Sequence, residues 1–206
     1  MIVPSMTKAE LLREVKEDSD WVFERRNGIR QKYNKRLKKF DGEILLGIST
    51  YKTPRYNEAI AVWVASNVNK HEFNLSCFTY FKYNTPAGVQ YILATRYAQS
   101  VVVYTVHFIK RLKEREGLSF MDFIQLLGKE ASYLVVPDKY VYKGKEVEVV
   151  PFLDRGFQIF KEDNWGMNML TYISKSQYQG EQGEFIKKVV EEQSLENNKY
   201  LAYLKR

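Results

Sequence analysis

A series of strand-like segments separated by short turns limits the folds that this chain can adopt. Over residues 72–83, apolar and polar side chains alternate, which is typical of a strand whose two faces meet different surroundings. The preceding segment 59–65 is apolar throughout and predicts a central strand. Turn residues at 84–88 lead into further strand signals at 89–97 and 100–105. Short connections between consecutive strands predict an antiparallel meander.

A second series of strand signals lies nearer the C-terminus. Residues 141–147 predict a hairpin with its turn near Gly144, and strand patterns recur at 148–153, 157–161 and 167–174. Periodicity alone leaves open whether the two series form one sheet or two.

Helix signals precede the first strands. Thr7 and Glu10 stand three residues apart before an apolar periodic stretch, which is the pattern of a capping box. A second helix, capped by Ser19 or Asp20, is expected to run to about residue 40.

Two central helices are expected between the strand series. The first runs from about 105 to 116 and ends at Gly117, and the second is capped by Ser119 with Asp122 three residues later. Residues 43–58, with their glycine and proline, are expected to form an irregular connection.

These signals together predict an α+β fold with one or two antiparallel sheets, a helical N-terminus, two central helices and a C-terminal helix. A chain of 206 residues, 45% of them hydrophobic, suits one domain. We divide it into a basic helical N-terminal region (1–42), an α+β core (43–180) and a C-terminal helix (181–206).

The positive charge of the chain is concentrated in one predicted helix. Residues 21–40 contain eight basic residues and one acidic residue, a net charge of +7 that equals that of the whole chain. Such asymmetry predicts contact with a polyanion, RNA or DNA, although a solvated helix face explains it equally well. The residues expected to contact phosphates are Arg25, Arg26, Arg30, Lys32, Lys35 and Arg36.

Several classes of function lack their sequence signals. There is no phosphate-cradling glycine loop, no dinucleotide fingerprint and no metal-ligand spacing, so we expect neither a cofactor nor a metal. Cys77 is the only cysteine and falls in a strand pattern, which indicates a core thiol. No secretory signal or membrane-spanning run is visible, so we expect a cytoplasmic protein that does not bind a membrane.

One segment places groups that can act on a phosphate along one side of a predicted helix. With about 100° per residue, His107, Arg111, Glu114 and Arg115 fall within one arc of about 100°, and the apolar residues between them fall on another. Cleavage of RNA by its own 2′-hydroxyl needs a base, an acid and cations on the phosphate, without a metal. The plain alternative is a set of surface ion pairs beside a junction histidine.

The segment HFIKRLKER, from His107 to Arg115, resembles the His-x-x-x-Arg-x-x-Glu-Arg helix of small bacterial and phage proteins. Some of these are grouped with the barnase/colicin/RelE-like toxin ribonucleases. Residues 157–174 are similar to the final strands of those proteins, where a threonine and a neighbouring polar residue face the active site. The resemblance, over about a third of the chain, implies that Thr171 and Ser174 contact phosphate or base.

Two functions from different classes remain open. The first is a nucleic-acid-interacting protein. Its more specific form is a metal-independent ribonuclease. In this form His107 is the base or acid, Arg111 and Arg115 stabilise phosphate, and Glu114 has an orienting role or shares in the proton transfer. In the binding form, strand tyrosines could stack bases. The second is a structural or protein-interaction protein of a phage or mobile element, whose basic helix packs on an acidic protein partner. The tyrosines considered for stacking are Tyr80, Tyr91, Tyr97 and Tyr104.

Overall fold

One sheet organises the molecule. The computed structural model describes residues 1–3, 5–37, 43–69, 72–94, 101–129, 138–142, 144–152, 156–163, 166–174, 183–185 and 187–189. In that part of the chain, nine strands form a single, mostly antiparallel sheet with helices on both faces. The predicted α+β fold is therefore confirmed, and the two strand series share one sheet.

Two helices precede the first strand, and two more lie between the two series of strands. The helices are α1 (Lys8–Phe23), α2 (Arg26–Leu37), α3 (Val106–Glu116) and α4 (Phe120–Lys129). The strands are β1 (Glu43–Lys52), β2 (Glu58–Asn69), β3 (Glu72–Thr85), β4 (Gly88–Ala94), β5 (Val101–Tyr104), β6 (Asp138–Tyr142), β7 (Lys145–Phe152), β8 (Gly156–Asp163) and β9 (Gly166–Ser174). Residues 183–185 and 187–189 are helical, and the rest of the predicted C-terminal helix lies outside the described residues, as do residues 38–40 and 95–97.

A single parallel contact joins the two meanders. The strand order is β1-β2-β3-β4-β5-β9-β8-β7-β6. Every pairing is antiparallel except β5 with β9, where Val103 lies opposite Asn168 and Tyr104 opposite Met169. This pairing places the start of α3, which follows β5, beside the strand that ends the second meander.

The two faces of the sheet bury different helices. On one face, α1 and α2 pack through Val15, Ile29 and Leu37 against a layer that includes Trp63 and Phe81. Further along that face, Phe185 and Val189 pack on residues of β7, β8 and β9. The alternation predicted for β3 is confirmed, because Phe73, Leu75, Cys77, Phe81 and Tyr83 all belong to this first layer.

The opposite face is covered by α3 and α4. Phe108 and Leu112 of α3 and Phe123 and Ile124 of α4 are fully buried there, together with Tyr80 of β3. Burying such a side chain stabilises the fold by about 1.5–3 kcal/mol. Apolar contacts, rather than the polar groups of α3, therefore dominate the docking of this helix.

The predicted boundary between the N-terminal helices is wrong. α1 continues through Ser19 and Asp20 to Phe23, and the break falls at Glu24 and Arg25. Ser19 is buried at 3% exposure, where it cannot act as the solvent-facing start of a helix. Serine is a common N-cap residue, but Ser19 lies within a packed helix.

The irregular connection expected at residues 43–58 is also wrong. Most of it is β1, which pairs with β2 from Glu43 opposite Ser66 to Lys52 opposite Glu58. A bulge between Leu45 and Gly47 breaks the two-residue alternation, which hides the strand from a periodicity search.

The other helix ends predicted from local sequence signals are confirmed. Thr7 and Glu10 form the predicted capping box. Gly117 ends α3 in the left-handed conformation with φ of 66°. Ser119 and Asp122 exchange hydrogen bonds at the start of α4. Among the described residues, no helix is long and apolar enough to cross a membrane.

Candidate functional site

The start of α3 is fixed by one threonine. The Thr105 hydroxyl accepts a hydrogen bond from the Phe108 backbone N–H at 3.2 Å and donates one to the Met169 carbonyl at 2.8 Å. The first contact caps the helix, and the second ties it to β9. His107 therefore has a defined position in the first turn.

His107 and Arg111 lie one helical turn apart on the outside of α3. His107 is exposed and Arg111 partly so. Arg111 pairs with Glu114 at 3.0 Å, and Lys110 approaches the same carboxylate at 3.8 Å. Glu114 is thus held in surface ion pairs, which were the plain alternative to a catalytic role, and such pairs contribute about 0–1 kcal/mol to stability.

Arg115 and Ser174 join the other end of α3 to β9. An Nη atom of Arg115 donates to the carbonyl of Tyr172, and the Ser174 hydroxyl donates to Glu116 Oε1 at 2.6 Å. Burial lowers the pKa of Arg115, as does the nearby Arg111 guanidinium. These contacts dock α3 on β9, and no local sequence pattern indicates Glu116 as the partner of Ser174.

Thr171 lies on the other face of the sheet. It is paired with Ile159, whereas Phe160 is paired with Met169, so a bulge at residue 170 shifts the alternation of β9. Directly opposed residues share a face. Since Ile159 packs on the face of Val189, and Tyr172 packs with α3, Thr171 faces away from α3.

The six predicted catalytic residues therefore do not converge. With a rise of 1.5 Å per residue, His107 and Arg115 are separated by about 12 Å along α3. Thr171 is across the sheet, and Ser174 is bonded to Glu116. The structure brings together His107 with Arg111 at one end, and Arg115 with Ser174 at the other.

The second predicted site, the basic surface, lies on α2. This helix contains no acidic residue, and its buried stripe is formed by Ile29, Leu37 and the half-buried Tyr33. The exposed arc carries four cations, and none of them has a carboxylate partner in the part of the chain that the structure describes. These four residues, which we call the α2 basic surface, are Arg30, Lys32, Lys35 and Arg36.

The other two predicted phosphate contacts are more constrained. Arg25 lies over the Trp21 ring at 3.1 Å from its centroid and donates to the Trp21 carbonyl. Arg26 lies over Phe23 at 5.0 Å and pairs with Glu24 at 3.3 Å. Both are half-buried.

Arg30 combines support with exposure. Its guanidinium lies 5.3 Å from the centroid of the Phe73 ring. A cation–π contact supports a guanidinium without using a carboxylate. Arg30 is exposed, so it is supported by Phe73 and accessible to a partner at the edge of the α2 basic surface.

The tyrosines considered for base stacking are mostly packed inside. Tyr80 is fully buried and Tyr104 is 4% exposed, and Tyr91 stacks on Phe120 at 3.9 Å. Tyr97 lies outside the described residues. Burial raises the pKa of Tyr104. The stacking prediction is therefore wrong for Tyr80 and Tyr104.

Cys77 and the metal-binding residue types are the other groups that could carry chemistry. Burial raises the pKa of Cys77 to about 12, against a hydrogen bond with Thr79 that acts in the opposite direction, which fits the core thiol predicted from the sequence. In the described part of the chain, no group of three or more His, Cys, Asp or Glu side chains is placed to hold a metal ion.

Comparison with protein-family models, with curated proteins and with solved structures finds no match to this chain. The resemblance of residues 107–115 to the toxin ribonucleases accordingly stays a prediction.

Proposed function

We propose that the protein binds nucleic acid through the α2 basic surface. The observation that most supports this proposal is that the charges of this surface are not neutralised. Four exposed cations share one helix without a single acidic residue, and no carboxylate among the described residues neutralises them. Close like charges destabilise a helix, so a partner that supplies phosphates would relieve their repulsion.

The shape of this surface favours the sugar–phosphate backbone over the bases. Exposed lysines and arginines position a nucleic acid without reading its sequence. Asn27, Gln31 and Asn34 lie between the cations on the same arc and can donate to phosphate oxygens. We expect binding with little sequence preference.

Charge reversal on α2 tests the proposal. The triple variant Arg30→Glu, Lys32→Glu, Lys35→Glu should bind a mixed-sequence labelled RNA about 100-fold more weakly than the wild type, because attraction becomes repulsion. Gel shifts in EDTA at low and moderate salt measure this.

A matched control distinguishes binding at this local surface from a general effect of net charge. The variant Lys145→Glu, Lys161→Glu, Lys187→Glu makes the same change in charge at exposed positions on the other half of the molecule. It should retain most of the affinity. Equal losses in the two variants would mean that only net charge matters, and the α2 site would be rejected.

Cleavage of the bound RNA is a second proposal, carried by His107 and Arg111. Both are reachable from solvent and stand one turn apart, where an imidazole could move a proton while a guanidinium contacts the phosphate. The same gels read cleavage directly. His107→Ala should abolish it and keep the melting temperature within a few degrees, whereas Lys113→Ala, also exposed on α3, should leave it unchanged. Unaltered cleavage by His107→Ala would end this second proposal.

A further inference from the structure

A cavity of about 300 Å³ lies on the sheet face that carries α1. Ile92 of β4 and Val103 of β5 line it, and Asn168 of β9 stands beside Val103 through the parallel pairing. Ile2 and Leu11 approach from the N-terminal region. The cavity therefore sits at the seam where the two meanders meet.

The division of the helical cover explains why a cavity forms here. On this face, α1 packs on β3 and β4, whereas Phe185 and Val189 pack with residues of β8 and β9 such as Ile159 and Ile173. β5 lies between these two contacts in the strand order. The cavity opens between two packed regions and is bounded by strands whose positions are fixed by the sheet.

Two amide side chains in the cavity have unused hydrogen-bonding groups. Gln90 accepts a hydrogen bond from the Tyr83 hydroxyl at 2.6 Å, which leaves its amide N–H groups without a partner among the described residues. The side-chain amide of Asn168 has no hydrogen-bond partner in the part of the chain that the structure describes, although the residue is half-buried. Thr105, by contrast, has both its donor and its acceptor engaged in capping α3.

The lining favours an uncharged ligand. The described residues around the cavity include no Asp, Glu, Lys, Arg or His, and most are aliphatic. An ion would lose hydration there without meeting an opposite charge. A primary amide offers both donors and an acceptor, so its best partner is a group that also presents a donor beside an acceptor.

We propose that this cavity binds a neutral, ring-sized organic molecule that carries a carboxamide or lactam group, and that Asn168 and Gln90 recognise this group. The volume of the cavity is at the lower end of the 300–1,000 Å³ typical of small-molecule sites, which limits the ligand to about one substituted ring. The site goes beyond the proposed nucleic-acid binding, and its test contains no nucleic acid.

Three isosteric probes test the proposal on the full chain. Benzamide presents the donor and acceptor, benzoate is its charged counterpart, and ethylbenzene has the ring without polar groups. Titrations of ¹⁵N-labelled protein follow the side-chain amide signals of Asn168, which are identified by their loss in Asn168→Leu. Benzamide should shift them saturably, and benzoate should not.

The variant Asn168→Leu keeps the branched shape of the side chain and removes the amide. It should bind benzamide about tenfold more weakly and ethylbenzene at least as well as the wild type. If this variant does not fold, Gln90→Leu, at a half-buried position, replaces it with the same expectation. Equal binding of benzamide and benzoate, undiminished benzamide binding by the variant, or no binding of any probe would overturn the proposal.

Discussion

α1 and α2 are consecutive helices on the same face of the sheet, yet they use their charges in opposite ways. Glu14, Glu17 and Asp18 of α1 are bound by groups far away in the sequence, whereas the four cations of the α2 basic surface face solvent without carboxylate partners among the described residues. The contrast separates charges that stabilise the fold from charges that are available to a partner.

The network on α1 centres on Asp18, which is fully buried. It accepts hydrogen bonds from Thr53 Oγ1 at 2.5 Å and Asn57 Nδ2 at 2.7 Å, and Arg55 lies 3.3 Å away. Glu14, one turn earlier, also binds Asn57, at 2.9 Å. The donors to Asp18 all come from the turn between β1 and β2, so the network pins that turn to the helix.

The α2 basic surface has no such counterpart. Two of its residues contact aromatic rings, Arg30 with Phe73 and Lys32 with Tyr33, and none of the four pairs with a carboxylate among the described residues. Apolar contacts of Ile29 and Leu37 hold α2 in place. Substitutions of its cations should therefore change binding while leaving the fold almost intact, and the reverse should hold for α1.

The largest effect is expected from Asp18→Ala. Thr53 and Asn57 would lose a buried acceptor and Arg55 part of its counter-charge, which should lower the free energy of unfolding by about 3 kcal/mol. Urea denaturation measures this. Glu17→Ala, which removes only a 44% exposed partner of Arg55, should cost less than about 1 kcal/mol. Similar losses in both variants would contradict a special role for the buried carboxylate.

A smaller effect is expected when single cations of α2 are neutralised. Arg30→Gln or Lys35→Gln should each reduce the slope of log K against log salt for RNA binding by about 0.7–0.9, because one phosphate contact is lost. The unfolding free energy should stay within about 0.5 kcal/mol of the wild type. Lys82→Gln is the control, since Lys82 is already paired with Glu58 at 2.9 Å. If Lys82→Gln reduces this slope as much as the α2 variants do, the proposed difference between paired and unpaired cations is wrong.

The smallest effect is confined to acid. Burial raises the pKa of Glu14, but hydrogen bonds from the Met1 amine and Asn57, with the charges of that amine and Arg55, outweigh it and leave the pKa below its usual 4.5. A carboxylate with a lowered folded-state pKa stabilises the fold above its unfolded pKa and loses this contribution as the pH falls through the folded value.

The gap in unfolding free energy between the wild type and Glu14→Gln should consequently be present at pH 7 and shrink below pH 4.5. Denaturation curves across that range measure it. A gap that stays constant into acid would show that the Glu14 charge does not contribute. Lys35→Gln on α2 is the control and should show no such change in this range, because Lys35 has no carboxylate partner among the described residues.

Features encoded within a few neighbouring residues could be predicted from the sequence. The capping pairs Thr7 with Glu10 and Ser119 with Asp122, the end of α3 at Gly117 and the alternation of β3 all appear in the structure. Each depends on contacts three residues apart or on the two-residue period of a strand. The exposed cations of α2 belong to the same class, because a helix without acidic residues cannot neutralise itself.

Features that depend on which distant segments meet were decided only by the tertiary structure. Asp18 meets a turn 35 to 39 residues away, and the parallel pairing of β5 with β9 connects segments across the whole second series of strands. One bulge in β9 turns Thr171 away from α3 and leaves Ser174 facing it. A local pattern specifies how a segment can pair and which residue types it buries. The choice of partner and register comes from the packing energy of the whole sheet, which no local pattern contains.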